Sequence, residues 1–206
     1  KDPETSALGK KIIEHSIILI NEIGFENFTF KKLGDRIGSN ESSIYRYFEN
    51  KHKLLIYLSS WYWSWMEYKL VFTTSNIQNT EDKLKKAIAT ITEKIEDDSN
   101  TEHINEAILN KIIIAEFTKT LHTKEIDQEN KEGFFLIYTR IINRIVAMIL
   151  EVNPDYPFAK SLVSNIVEGS LHQHFLQDHL PLLTDCDAQT SPTDFYQNLI
   201  TTLLKK

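Results

Sequence analysis

One cysteine, two methionines, five prolines and six glycines in 206 residues leave this chain few devices for stapling or bending a fold. A lone Cys186 excludes an intrachain disulfide framework and fits a reducing, cytoplasmic compartment. Pro154, Pro157, Pro181 and Pro192 fall at the edges of apolar-periodic segments or in first turns, so no long helix is interrupted by them. No apolar run is fit to span a membrane: Phe134 to Val152 is broken by Arg140, Asn143 and Arg144, and nothing resembles a signal peptide. A Gly-rich phosphate loop, a nucleophile elbow and a paired catalytic carboxylate signature are also missing, so neither an enzyme nor a cofactor is expected. Positive charge is short as well, with 23 Lys+Arg against 29 Asp+Glu. That balance argues against a nucleic-acid partner only until the chain is divided. Residues 1–60 hold 9 Lys+Arg against 8 Asp+Glu, whereas residues 61–206 hold 14 against 21.

What is there is concentrated between Phe28 and Leu55, reading FTFKKLGDRIGSNESSIYRYFENKHKLL. Thr29 is placed to N-cap a helix whose Leu33 and Ile37 recur at i and i+4, and Gly38 supplies the left-handed residue that stops it. After a short turn Asn40 caps a second helix. There Ile44 and Phe48 form an inward stripe, while Ser42, Ser43, Tyr45 and Arg46 point the other way. A short helix held by two apolar anchors, exposing hydroxyls, an aromatic and an arginine, is what the second helix of a helix-turn-helix presents to a major groove.

In these residues the chain resembles the TetR family of bacterial transcriptional regulators. The resemblance rests on Gly24-Phe25, Phe28-Thr29, Gly38, Tyr45-Arg46-Tyr47-Phe48, Lys51 and Leu54-Leu55, in the family's order and spacing over about the first quarter of the chain. It implies that Ser42, Ser43, Tyr45 and Arg46 face the groove and that Thr29, Lys31, Tyr47 and Lys51 are available to phosphates. Two positions depart from the family pattern. Gly34 stands inside the first motif helix, at a cost of roughly 1 kcal/mol relative to Ala, which points to a close helix crossing. Glu41 stands where the family often carries a neutral or basic residue; it either accepts from a cytosine amino group or favours the helix N-terminus through the dipole.

The rest of the chain reads as helical, with no repeat and no alternating strand pattern. Helices are expected from about Ala7 to Ile23, Lys51 to Thr73, Glu81 to Glu96, Thr101 to Leu121, Gln128 to Glu151, Asp155 to His179 and Pro192 to Leu204, with a loop from Asn76 to Thr80. The expected fold is therefore all-α. A three-helix helix-turn-helix DNA-binding domain (residues 1–50) is joined by a long helix to a helical effector-binding and dimerisation domain (residues 51–206).

The connecting helix carries the run Trp61-Tyr62-Trp63-Ser64-Trp65-Met66-Glu67-Tyr68. Trp61, Trp65, Tyr68 and Phe72 share one face at i, i+4, i+7 and i+11. Either this stripe packs in the core, or part of it lines an effector cavity, as the family resemblance implies. An aromatic wall suits a flat or lipophilic ligand, and a nearby Glu67 or Glu116 suits a cationic one. In the last two long helices, Phe158, Leu162, Ile166, Leu171 and Phe175 give one apolar stripe and Phe195, Leu199, Ile200 and Leu203 another, with Gly169 and Ser170 allowing close approach. The family's final two helices pair into a four-helix bundle between subunits, so Phe158, Leu162, Ile166, Phe195 and Leu199 are read as a homodimer interface, with internal packing as the alternative. His172, His174 and His179 lie near Glu168 and Asp178, but His172 and His174 point apart on a helix and no HExxH motif is present, so no metal is assigned. Cys186 stands between two carboxylates, Asp185 and Asp187, with no basic residue beside it in the sequence, which speaks against a nucleophile.

The sequence thus supports a ligand-responsive repressor, released from a palindromic DNA operator by a small lipophilic or aromatic effector. The alternatives are a DNA-binding regulator whose C-terminal domain takes a protein partner and, more weakly, an all-α enzyme with an appended DNA-binding domain. Operator, effector, regulated genes and the sign of regulation are not written in the residues.

Overall fold

Ser6, Thr29, Asn40, Asn79 and Asn105 each accept a hydrogen bond from the backbone N–H three residues on, and each starts a helix. A computed structural model of the chain describes residues 2–95 and 103–204, and over these the fold is all-α, with no strand. In order the helices are α1 (Ala7–Ile23), α2 (Phe30–Ile37), α3 (Glu41–Tyr45), α4 (Lys51–Thr74), α5 (Thr80–Thr92), α6 (Glu106–Leu121), α7 (Ile126–Lys131), α8 (Leu136–Val152), α9 (Ala159–His179) and α10 (Pro192–Leu204).

Most expected helices are present with shifted ends. The expected helix from Gln128 to Glu151 is two: α7 stops where Gly133 takes φ 89°, and α8 begins at Leu136. A glycine at positive φ just past a helix end terminates it without strain, and Gly133 carries that signal in the sequence. Helix α9 starts at Ala159 rather than Asp155, after the turns around Pro157. Helix α6 starts at Glu106, behind its Asn105 cap. Glu96 and Thr101, the other expected helix limits, lie outside the described residues.

The helices pack as two compact units. One comprises residues 1–62 and 95–134, the other residues 63–94 and 135–206, so the sequence of α4 contributes to both. In the first unit, α1 buries Ile12, Ile13, Ile17 and Ile20 and packs against α2 and α6, while Leu54, Leu55, Ile56 and Leu58 of α4 are fully buried. A buried Asn110 on α6 donates to the Tyr62 hydroxyl at 2.9 Å, which satisfies a polar pair that burial would otherwise make costly. In the second unit, α5, α8, α9 and α10 pack on one another around Leu84, Ile88, Ile145, Ile149, Val163, Ile166 and Ile200.

His174 sits in that second core, where its Nε2–H donates to the Thr92 carbonyl at 2.8 Å. Burial holds the imidazole below its ordinary value; Lys94 acts in the same direction, and the Thr92 bond and Asp178 oppose it. The unfolded chain therefore takes up a proton here more readily than the folded one. This contribution to stability is complete above about pH 6.5 and is lost as pH falls through the depressed folded value. Thermal stability is expected to fall as pH drops below about 6.5, and His174→Gln should remove that part of the slope.

Candidate nucleic-acid interface

The turn between α2 and α3 is built almost entirely by local chemistry. The Thr29 side chain caps α2 by accepting from Lys32 N–H, and Gly38 closes the helix at φ 68°, ψ 36° with its N–H on Gly34 O. A Cβ on Gly34 would stand 2.7 Å from the Ser39 carbonyl oxygen, which is closer than side-chain carbons come to any atom. Gly34 is thus required by the turn folding back on α2, and not by the crossing of a separate helix. The Ser39 N–H bonds Gly34 O at 2.9 Å and fixes that approach.

Helix α3 is five residues long, with Ile44 and Phe48 buried beneath it. Asn40 Oδ1 accepts from Ser43 N–H at 2.8 Å and from the Ser42 and Ser43 hydroxyls at 2.9 and 2.6 Å. Both serine protons are committed to the cap, so what these side chains present outward is oxygen lone pairs, which are acceptors. Tyr45 leans its ring edge-to-face on Phe30 at 5.0 Å, and its hydroxyl donates to Glu41 at 3.3 Å. Glu41 heads α3 with its carboxylate turned to its own helix, which favours the dipole reading of this residue. Arg46 follows as the C-cap, exposed, its side chain without a hydrogen bond or ion pair among the described residues.

The residues expected at phosphates divide into two groups. Lys31 is exposed, and Thr29 is exposed with its oxygen engaged in capping. Tyr47 is half-buried, its hydroxyl 2.8 Å from Ser6 Oγ at the start of α1. Lys51 spends its ammonium inside the fold: Nζ donates to the Phe25 and Glu26 carbonyls at 3.0 and 3.1 Å and sits 4.8 Å from the Phe25 ring centre. Two other nearby cations are also occupied, Lys32 on the Asn27 carbonyl and Arg36 on Glu22. Nothing in the sequence marks these ties, because the partners lie on different elements.

The expected effector residues are not gathered in one place. Tyr62, Trp63, Met66 and Leu70 form the buried face of α4, whereas Trp61 and Trp65 are half-buried and Tyr68 and Phe72 are 69% and 71% exposed. The Tyr68 and Phe72 end of the stripe therefore does not pack in the core. Glu67 is not a lone counter-charge: Arg140 binds it in bidentate fashion and Arg144 Nε reaches it at 2.9 Å. The Arg140 hydrogen bond holds the Glu67 carboxyl below its usual range. Glu116 belongs to the first unit and pairs with Lys119 at 2.7 Å. The second unit has a groove of about 150 Å³ lined by Leu84, Val152, Ile200 and Leu204, and an opening of about 350 Å³ beside Gln173, Cys186 and Phe195. Neither is lined by the tryptophan stripe.

Two of the expected interface residues are corrected by the structure. Ile166 is 0% exposed and Leu162 is buried, because the apolar stripe of α9 faces the unit's own helices. Phe158, Phe195 and Leu203 do reach the surface, with Leu199 half-buried between them in character. Gly169 gives α10 its close approach to α9, since a Cβ there would collide with the Tyr196 hydroxyl of the same chain. Among the described residues, no three His, Cys, Asp or Glu side chains converge as a metal site, and no helix is long and apolar enough to cross a membrane.

Comparison with known proteins agrees with this geometry. Residues 12–58 match the sequence model described as bacterial regulatory proteins, tetR family. The whole chain resembles the superantigen PfiT in fold, at 15% identity over 98% of this chain and 97% of that one, TM-score 0.62. It also resembles AibR in complex with isovaleryl coenzyme A and operator DNA, at 12% identity over 94% and 96% of the two chains, TM-score 0.59. The fatty acid degradation regulator FadR from Bacillus halodurans aligns at 18% identity over 94% and 93%, TM-score 0.52. No curated protein matches by sequence. The matched segment spans the capped turn, the short α3 and the start of α4 described above, so the part of the chain that resembles the tetR family of bacterial regulatory proteins is the helix-turn-helix itself.

Proposed function

We propose that this chain is a cytoplasmic, homodimeric repressor that reads a palindromic operator through α2 and α3 and is released by a small lipophilic effector. The observation that carries the reading is α3 itself, anchored by buried Ile44 and Phe48 and presenting Ser42, Ser43, Tyr45 and an unpartnered Arg46 to solvent. With their protons held by Asn40, the serines are suited to base amino groups, adenine N6 or cytosine N4. Arg46 is suited to guanine O6 and N7. Thr29, Lys31, Tyr47 and Lys51 then serve the backbone, Lys31 directly and Lys51 by holding the loop before α2 in place. One short helix gives too few contacts for specificity, and doubling it by a two-fold axis is the common remedy, with half-sites about 34–36 Å apart. The exposed Phe158, Phe195 and Leu203 belong to the face that such a dimer would cover.

For the effector, acyl thioesters are the class to test first, because isovaleryl coenzyme A accompanies AibR and FadR is named for fatty acid degradation. Arg140 and Arg144, two exposed guanidinia sharing the one Glu67 carboxylate, leave a net positive charge suited to an anionic headgroup. Selection from a randomised duplex library should enrich an inverted repeat. Short- to long-chain acyl coenzyme A compounds should then change the emission of Trp61, Trp63 and Trp65 and release that duplex. A typical coupling lowers operator affinity about 5- to 150-fold. Enrichment of no common sequence would remove the reading. The protein-partner alternative keeps one specific observation, the exposed Tyr68, Val71 and Phe72 on α4. Enrichment of a duplex that no acyl compound, lipophilic cation or planar aromatic releases would favour it.

A further inference from the structure

Helix α7 is six residues long, and its one buried side chain is a carboxylate: Glu129 is 1% exposed. Such burial is unfavourable for a charged group unless donors meet it, and the ammonium and the imidazole that do come from consecutive positions of α4's first turn. Lys53 Nζ donates to Glu129 Oε1 at 2.9 Å and His52 Nε2 lies 3.1 Å from the same oxygen. Burial pushes the Glu129 carboxyl up, but the hydrogen bonds from Lys53 and His52 outweigh it and hold the group below its usual range. Lys53 is further fixed 4.6 Å from the Phe134 ring centre, and the Phe134 N–H returns to the Glu129 carbonyl at 3.2 Å.

The preceding residue, Lys51, holds the Phe25 and Glu26 carbonyls, so three successive residues of α4 grip the loop before α2 on one side and α7 on the other. Two further ion pairs join residues after α5 to the N-terminal stretch, at Glu4 before α1 and at Glu26 in the loop after it. His103 Nε2 meets Glu4 at 2.9 Å and Lys119 Nζ meets Glu26 at 2.6 Å, but both of those carboxylates are substantially exposed. The Glu129 carboxylate is by contrast enclosed while its partners are about a quarter exposed, and a pair with one buried member is screened by salt less than a fully exposed one.

We propose that Glu129 is a positioning residue for DNA recognition: by gripping His52 and Lys53 it fixes the first turn of α4, and through the short link from Phe48 to Asn50 it sets the pose of α3. The proposal rests on the DNA-reading function given above. It makes α7, far along the chain from the helix-turn-helix, part of the recognition machinery without any contact to DNA.

The test uses the full-length protein, the duplex enriched from a randomised library and a scrambled duplex of equal length. Glu129→Gln keeps the shape and removes the charge; Lys53→Met removes the partner from a partly exposed position and guards against a variant that fails to fold. Each is expected to lower the ratio of enriched-duplex to scrambled-duplex affinity roughly 2- to 30-fold, the range seen for residues that act without touching the ligand. The double variant should be no worse than either single one, because both break one interaction. In the free Glu129→Gln protein, amide hydrogen exchange should rise over residues 41–58 and stay unchanged over α9 and α10. An unchanged affinity ratio, or losses that multiply in the double variant, overturns the proposal. Should no duplex be enriched, the functional reading fails separately, and exchange over 41–58 still decides whether Glu129 holds α4.

Discussion

Arg46→Ala should lower affinity for the preferred duplex by about 1–3 kcal/mol and relax the preference at one base pair per half-site. Arg46 is exposed at the end of α3 and its guanidinium spends no hydrogen bond on the protein, so truncating it leaves the fold intact. Lys51→Ala should behave differently, although the sequence places both residues in one DNA-binding set. Its ammonium holds the Phe25 and Glu26 carbonyls, and those acceptors lose a charged donor when it goes. Binding to the preferred and scrambled duplexes should then fall together with the melting temperature. Equilibrium binding to both duplexes, paired with thermal unfolding, separates the two residues. Equal melting temperatures for Lys51→Ala and the unmodified protein would return Lys51 to a direct phosphate role.

Ile166→Arg should unfold the second unit. A guanidinium placed where the side chain is fully enclosed by α5, α8 and α10 has no partner and no water, and the loss is several kcal/mol, comparable with the whole stability of a domain. From the stripe alone this substitution looks like a dimer-breaker; the burial of Ile166 makes it a core-breaker. Phe195→Arg with Leu203→Arg, on the exposed side of α10, is the pair that should yield folded monomers in sedimentation with weakened duplex binding. A folded, dimeric Ile166→Arg protein would contradict the packing described for α9.

These cases show what local sequence can and cannot carry. Thr29, Gly38 and Asn40 were readable because caps and left-handed stops are decided within four residues, and each does in the structure what its position implies. Gly34 was readable as a close approach, but its partner was not: the Ser39 carbonyl arrives through the conformation of the turn. On α4 the phase of burial was hidden, since Trp61, Tyr62, Trp63, Trp65, Met66 and Tyr68 are apolar all round and no periodicity selects a face. The stripe on α9 was visible, yet an apolar stripe states only that something covers it, and in this chain its own helices do. Least legible of all was Glu129. Its partners His52 and Lys53 lie far away in sequence, and a single Glu in a polar segment looks like any solvated carboxylate.

In the proposed complex the helix-turn-helix of α2 and α3 is the surface that meets DNA. Amide hydrogen exchange on the full-length chain, with and without the duplex enriched from a randomised library, tests it most directly. Protection is expected at the start of α2 and across residues 40–48, strongest at Ser43 to Arg46, and it should weaken when the scrambled duplex is substituted. Protection confined to other helices, with residues 40–48 exchanging as in the free protein while the duplex is bound, would contradict the assignment.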